Sequence, residues 1–310
     1  MASEKNKNAL AELSSRLADA VKSASTFTVA IHARRRIPSS GVVWRGGVIV
    51  SASHTVRRDG VVRVALPDGE SIDATVVGRD AATDLVVLRA NDLEVSPATF
   101  AAPNSGDVGS LVLAVGRPGR NVSSSFGIVS AVVDGWRSAQ GSRIGQVLRL
   151  DLAVYDGFSG GPLVAASGGV IGINNSALAR GTAAALPAVV VDRVVDELLS
   201  RGHIRRPFVG VAVHPVALNS ATVSRHHLTS DSALLVVSVA EGAPADAAGI
   251  LIGDVITQIN GNDVARPVDL LDAFSGVADG ASISVGLLRG GVPQTVSVTP
   301  RDRESAGASE

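Results

Sequence analysis

The sequence predicts a mainly β protein with a helical start and a second, mixed α+β unit. Three observations lead there. From Phe27 to about Val190 the chain breaks into short Val- and Ile-rich runs separated by Gly, Pro, Asn and Asp. No helical spacers lie between these runs, which is the pattern of barrels and sandwiches and not of parallel βαβ units. From Phe208 to Pro300 strand-like runs surround two helical patches, and 310 residues exceed what one ordinary core needs.

Taken in order, residues 8–24 carry Leu10, Leu13, Leu17, Ala20, Val21 and Ala24 at three- and four-residue spacing. That is one apolar helical face, expected to pack on the domain surface. Residues 1–26 therefore form an N-terminal helical segment. Strands follow at Thr28–Ala33, Val42–Trp44, Val48–Ser51, Val61–Leu66, Ala74–Val77 and Leu85–Arg89. A second set falls at Leu111–Val115, Gly127–Val133, Val147–Leu152, Leu163–Ala165 and Val170–Ile173. A helix over about 187–200 closes the first domain, 27–200. Residues 201–207 read as a linker and 208–300 as the second domain. The small, polar and charged tail 301–310 is expected to be disordered.

Composition narrows the function. Apolar residues make up 45% and aromatics only 3%, so Val, Ala, Leu and Ile must build the core. A formal net charge of -1 gives no electrostatic basis for a nucleic-acid partner. The chain has no cysteine, which removes disulfides, thiolate metal sites and cysteine nucleophiles. No apolar run is long enough to span a membrane, and the first 21 residues lack a secretory core. As written the chain is expected in the cytoplasm, or in the periplasm or cell envelope if an export signal has been removed.

The chemistry concentrates in Asp156-Gly157-Phe158-Ser159-Gly160-Gly161-Pro162-Leu163. Such a turn presents the Ser159 hydroxyl as a nucleophile while its backbone N–H groups converge on a developing oxyanion. A serine hydroxyl needs an imidazole to take its proton and a carboxylate to orient that imidazole. His54 follows a Val-Ile-Val-Ser strand in a small-residue turn, and Asp84 heads the apolar strand Leu85-Val86-Val87-Leu88. The G-x-S-x-G string also fits the nucleophile elbow of α/β-hydrolases. That elbow enters a helix and precedes its acid and histidine, whereas here Pro162 and a short strand follow. The elbow reading is rejected. Adjacent His226 and His227, beside Arg225 in a polar loop, are read as solvated, and no metal is expected.

With these residues in view, the chain resembles an HtrA/DegP-type serine protease from about Ala9 to Pro300. The resemblance rests on Ser40-Gly41-Val42-Val43, the His54 turn, Asp80-Ala81-Ala82-Thr83-Asp84-Leu85 and Ala114-Val115-Gly116-Arg117-Pro118. It rests also on Ser125-Phe126-Gly127-Ile128-Val129-Ser130, Asp151, and the Ser159 turn. It implies a chymotrypsin-like double β-barrel followed by a PDZ domain. His54 would be the general base, Asp84 its orienter and Ser159 the nucleophile, with the N–H groups of Gly157 and Ser159 as the oxyanion hole. The primary pocket would be walled by Asn174, Asn175, Ala184 and Ala185, which favour small or medium aliphatic side chains. The chain departs from the family at Phe158, where Asn is usual, and in its short Arg34–Ser40 connection. The family's homotrimer is implied, although of the N-terminal aromatics that knit it only Phe27 is nearby.

In the second domain Phe208, Val209, Gly210 and Val211 would bind a peptide's C-terminal carboxylate, with the helix near 267–274 as the opposite wall. The run Gly242–Ile250 and the Asn260-Gly261 turn strengthen the PDZ resemblance. The implied activity is an ATP-independent endopeptidase of protein quality control without cofactor, acting on unfolded proteins or peptides with free C-termini. The resemblance also implies a resting active site that orders on peptide binding. The alternative is a scaffold in which Phe158 has weakened or silenced the triad.

Overall fold

The computed structural model describes residues 2–34, 36–102, 105–138, 143–179, 181–275, 277–278 and 280–302. The chain divides into two compact units, Met1–Ile204 and Arg205–Glu310. Unit 1 opens with α1 (Ala2–Ser25), which buries Ala20 and Ala24 and packs beside β1 (Thr28–His32). The helix begins earlier than the apolar spacing shows. Its first residues hold no periodic apolar face, but Ala, Glu and Lys among them are strong helix formers.

The first barrel continues with β2 (Ser39–Arg45), β3 (Val48–Ala52), β4 (Val61–Ala65), β5 (Ser71–Asp80) and β6 (Leu85–Arg89). The second is built from β7 (Leu111–Gly116), β8 (Ser123–Arg137), β9 (Arg143–Asp151), β10 (Pro162–Ala165), β11 (Val170–Asn174) and β12 (Ala183–Pro187). Both close in the same order, first-second-third-sixth-fifth-fourth, as two copies of one antiparallel topology. The chymotrypsin-like double barrel is thus present. Strand β12 goes beyond the expected set: its Ala-rich sequence carries no alternation, because both faces are covered.

Helix α2 (Ala188–Arg201) buries Val190, Val191, Val194, Val195 and Leu198 on one face, each contributing about 1.5–3 kcal/mol. Arg45 bridges from β2 to Asp192 and Asp196 on α2 at 2.8 and 2.5 Å, and Trp44 Nε1 donates to Asp192 Oδ1. Fully buried large side chains are chiefly Ile and Leu, with Trp44 and Phe158 the two aromatics, as the scarcity of aromatics requires.

Unit 2 contains β13 (Pro207–Phe208), β14 (Val211–Ala217), α3 (Ser220–Arg225), β15 (Ser232–Val239) and α4 (Pro244–Ala247). It continues through β16 (Val255–Ile259), β17 (Asn262–Asp263), α5 (Pro267–Ser275), β18 (Ile283–Arg289), β19 (Val292–Val298) and β20 (Arg301–Asp302). The sheet runs β14-β15-β16-β18-β19, so β14 lies at an edge. Helix α3 was not foreseen; Asn219 caps it by accepting the Thr222 N–H at 2.8 Å. Two boundaries also differ. Arg201 still belongs to α2, and Pro207–Phe208 pairs with Arg301–Asp302, so neither the linker ends nor the tail begins where composition put them. Residues 303–310 lie outside the described residues.

Candidate active site

The site lies where the two barrels meet within unit 1. Strand β3 runs into a 3-10 turn, Ser53–Thr55, closed by Thr55 Oγ1 donating to the Ala52 carbonyl at 2.7 Å. That turn carries His54. Asp84 stands at the entrance of β6 with φ 55°, a left-handed conformation that Asp tolerates better than most residues. The Asp80 carboxylate prepares the bend by accepting the N–H groups of Ala82 and Thr83 and the Thr83 hydroxyl.

Asp84 grips the His54 residue twice. Its Oδ2 lies 2.5 Å from His54 Nδ1, and its Oδ1 accepts the His54 backbone N–H at 2.8 Å. A carboxylate at Nδ1 fixes the tautomer that carries hydrogen there and leaves Nε2 as the basic nitrogen. Asn175 Nδ2 supplies a further donor to Oδ2 at 2.9 Å.

Ser159 comes from the loop before β10 and is 4% exposed. Its frame is tight: a Cβ on Gly160 would lie 2.3 Å from both the Ser40 carbonyl and Ser51 Oγ, so only glycine fits. The buried Ser40 hydroxyl donates to the Gly157 carbonyl at 2.6 Å and accepts the Arg117 N–H at 2.7 Å. Arg117 is itself buried, its guanidinium donating to the carbonyls of Ser25, Thr28 and Arg120, and burial lowers its pKa from the usual value. The N–H groups of Gly157 and Ser159 have no partner among the described residues, as an oxyanion hole requires.

Phe158 points away from this chemistry. It is 1% exposed, lies against Gly116 and meets Tyr155 edge-on at 5.4 Å. The departure at this position is a change of packing within the second barrel. Ser159 Oγ is bonded at 2.9 Å to Ser176 Oγ and not to His54.

The four expected pocket residues are all fully buried. Asn175 serves Asp84, and Asn174 Nδ2 donates to the Pro162 carbonyl at 2.8 Å. Ala184 and Ala185 sit inside β12. All four side chains are covered in this arrangement, Asn174 at the end of β11 and Asn175 in the turn that follows it. Sequence reasoning missed Ser40 and Ser176, and the only available signal was their place inside motifs that drew attention for other residues.

In unit 2, Phe208 pairs with Arg301, and Gly210 turns the chain with φ 81° before Val211 opens β14. The N–H groups of Val209 and Gly210 have no partner among the described residues. Successive free N–H groups beside a left-handed glycine are the kind of backbone that can hold an anion. His226 and His227 follow α3, and among the described residues no group of three or more His, Asp or Glu side chains is placed to hold a metal ion.

A trypsin-like peptidase domain model matches residues 39–173, and a PDZ domain model matches 207–299. A probable periplasmic serine endoprotease, DegP-like, of Brucella suis is 33% identical over 294 residues, covering 89% of this chain and 56% of the relative. The chain belongs to the HtrA-type serine proteases with a PDZ domain. A DegP-like relative from Rhizobium meliloti is 35% identical over 277 residues, 86% of this chain and 53% of its own length. The HtrA-type chain therefore spans about half the length of the curated relatives it matches. Among solved structures, the serine endoprotease from Yersinia pestis superposes with a TM-score of 0.73 at 26% identity, covering 91% of this chain and 96% of that one. The HtrA-type protease AlgW with tripeptide gives 0.71 at 26% identity, covering 93% and 97%. These relatives also correct the expected compartment. They are named periplasmic, against the cytoplasmic location inferred from an N-terminal stretch that carries no such information.

Proposed function

We propose that this chain is an ATP-independent serine endopeptidase of protein quality control, acting in the cell envelope on unfolded or exposed segments. The observation that carries the reading is the double grip of Asp84 on His54, beside a Ser159 loop whose Gly157 and Ser159 N–H groups are free. In the reaction, Ser159 Oγ attacks the scissile carbonyl and passes its proton to His54 Nε2. Asp84 stabilises the imidazolium that results. The two free N–H groups receive the oxyanion, His54 returns the proton to the leaving amine, and water then releases the acyl-enzyme. The PDZ unit binds C-termini or apolar tails at the Val209–Gly210 turn and the β14 edge. No observation favours the silent-scaffold reading, since Phe158 is packed away from the triad.

The test is hydrolysis of an unfolded, cysteine-free protein by the wild type and by Ser159→Ala, with and without a peptide bound to the PDZ unit. Cleavage lost in the variant supports the assignment, and no cleavage by either protein sinks it. Mass in solution tests the homotrimer that the family resemblance implies.

A further inference from the structure

The turn after β11 touches both ends of the triad. Asn174 exchanges backbone bonds with the nucleophile loop: its carbonyl accepts the Gly160 N–H at 2.8 Å, and its N–H donates to Gly161 at 2.9 Å. Asn175 then uses both ends of one amide. Its Nδ2 donates to Asp84 Oδ2 at 2.9 Å, and its Oδ1 accepts the Ala177 N–H at 2.8 Å. These bonds leave the 175–177 turn little freedom, and they set exposed Ser176 over the nucleophile. Ser176 Oγ lies 2.9 Å from Ser159 Oγ, and the Ser176 N–H donates to the same oxygen at 3.3 Å.

The chemical consequence concerns the lone pairs of Ser159 Oγ. Attack on a carbonyl needs one of them, and activation needs the hydroxyl proton aimed at His54. Either hydroxyl can be the donor. If Ser159 donates, its proton is turned to Ser176; if Ser176 donates, its O–H and N–H together engage both lone pairs of Ser159 Oγ. No hydrogen bond joins Ser159 to His54. We infer that Ser176 is a positioning residue that holds the Ser159 hydroxyl off His54, so that acylation first requires this pair to part. The inference rests on the nucleophile assignment above.

The hydroxyl–hydroxyl bond is the one a substitution can remove. One neutral hydrogen bond corresponds to a roughly five-fold change in rate, which converts to about 1 kcal/mol. The experiment measures the second-order rate of Ser159 labelling by a small fluorophosphonate, too small to bring substrate main chain into the cleft, across pH 5 to about 9. Ser176→Ala is expected to label roughly five-fold faster at the plateau with its pH inflection unmoved. Ser176→Thr keeps the hydroxyl and is expected to label as the wild type does. A merely structural role would lower the thermal midpoint, slow both variants or shift the inflection. Labelling of Ser176→Ala at or below the wild-type rate overturns the inference while leaving the protease assignment intact. A wild type that does not label at all, like Ser159→Ala, removes the assignment and the inference together.

Discussion

Replacing Ser40 by alanine tests how the oxyanion loop is held. The Ser40 hydroxyl satisfies two groups at once, the Gly157 carbonyl at 2.6 Å and the Arg117 N–H at 2.7 Å, and all three residues are buried. Each orphaned buried polar group costs about 1–3 kcal/mol, so Ser40→Ala should cost about 2–6 kcal/mol before relaxation. At about 2–4 °C per kcal/mol for a unit of this size, a loss near 3 kcal/mol lowers the thermal midpoint by about 6–12 °C. The catalytic effect is separate. Freeing the Gly157 carbonyl lets the loop turn, and loss of one oxyanion donor costs about 10²–10³ in kcat. The expected result is a kcat lowered about 100-fold with KM within about two-fold. Steady-state kinetics on a chromogenic peptide and calorimetry on the same protein give both numbers. A destabilised variant with full kcat would show that Ser40 braces the fold only. A variant unchanged in both would refute the network.

Three further outcomes follow from single contacts. Asn175→Ala removes a donor to a charged carboxylate, worth about 1.5–3 kcal/mol, so kcat should fall roughly 10- to 100-fold with little change in KM; equal kcat would return Asn175 to the substrate pocket. In unit 2, hydrogen bonds from Arg289, Thr229 and Arg266 hold the carboxyls of Asp254, Asp263 and Asp269, in that order, below the usual range. A depressed folded pKa contributes stability above the unfolded value near 3.9 and loses it as pH falls through the folded value. Urea midpoints of the unit 2 transition should therefore hold from pH 7 to about 5 and drop below about 4, less steeply in Asp254→Asn; a flat profile contradicts this. Pro215 in edge strand β14 has no N–H, and proline is tolerated there only with its nitrogen facing outward. A peptide added to β14 thus loses its pairing donor at that point. Wild-type affinity should stop rising beyond about four peptide residues, and Pro215→Val should gain up to about five-fold with longer peptides; equal gains in both proteins would contradict it.

The triad could be read from the sequence because each member carries its own local signature. Glycines flank Ser159, a strand leads into the His54 turn, and Asp84 heads an apolar run. Those signatures are short-range and survive without a structure. The same holds for the barrel strands other than β12, whose places, though not the full lengths of β5 and β8, followed from Val-rich runs, and for α5, whose expected bounds differ from the observed Pro267–Ser275 by one residue. The groups that hold the triad in place have no such signature. Ser40 meets Gly157 across 117 positions, and Asn175 meets Asp84 across 91. No periodicity reports a contact of that range. Asn175 was assigned to the pocket because Ile, Asn, Ser and Ala around it suggested a small-residue wall. Its amide, in a fully buried residue, turns instead to the partly buried Asp84 carboxylate, since a buried amide left unpaired is costly. Phe158 misleads in the opposite direction. Next to a nucleophile an aromatic residue suggests altered chemistry, yet Gly116 opposite leaves room for the ring in the core. In both cases residue identity was informative only together with the partner that the barrel closure brings up. For that reason substitutions at Ser40, Asn175 and Ser176, more than at the triad itself, separate a correct reading of this site from a merely plausible one.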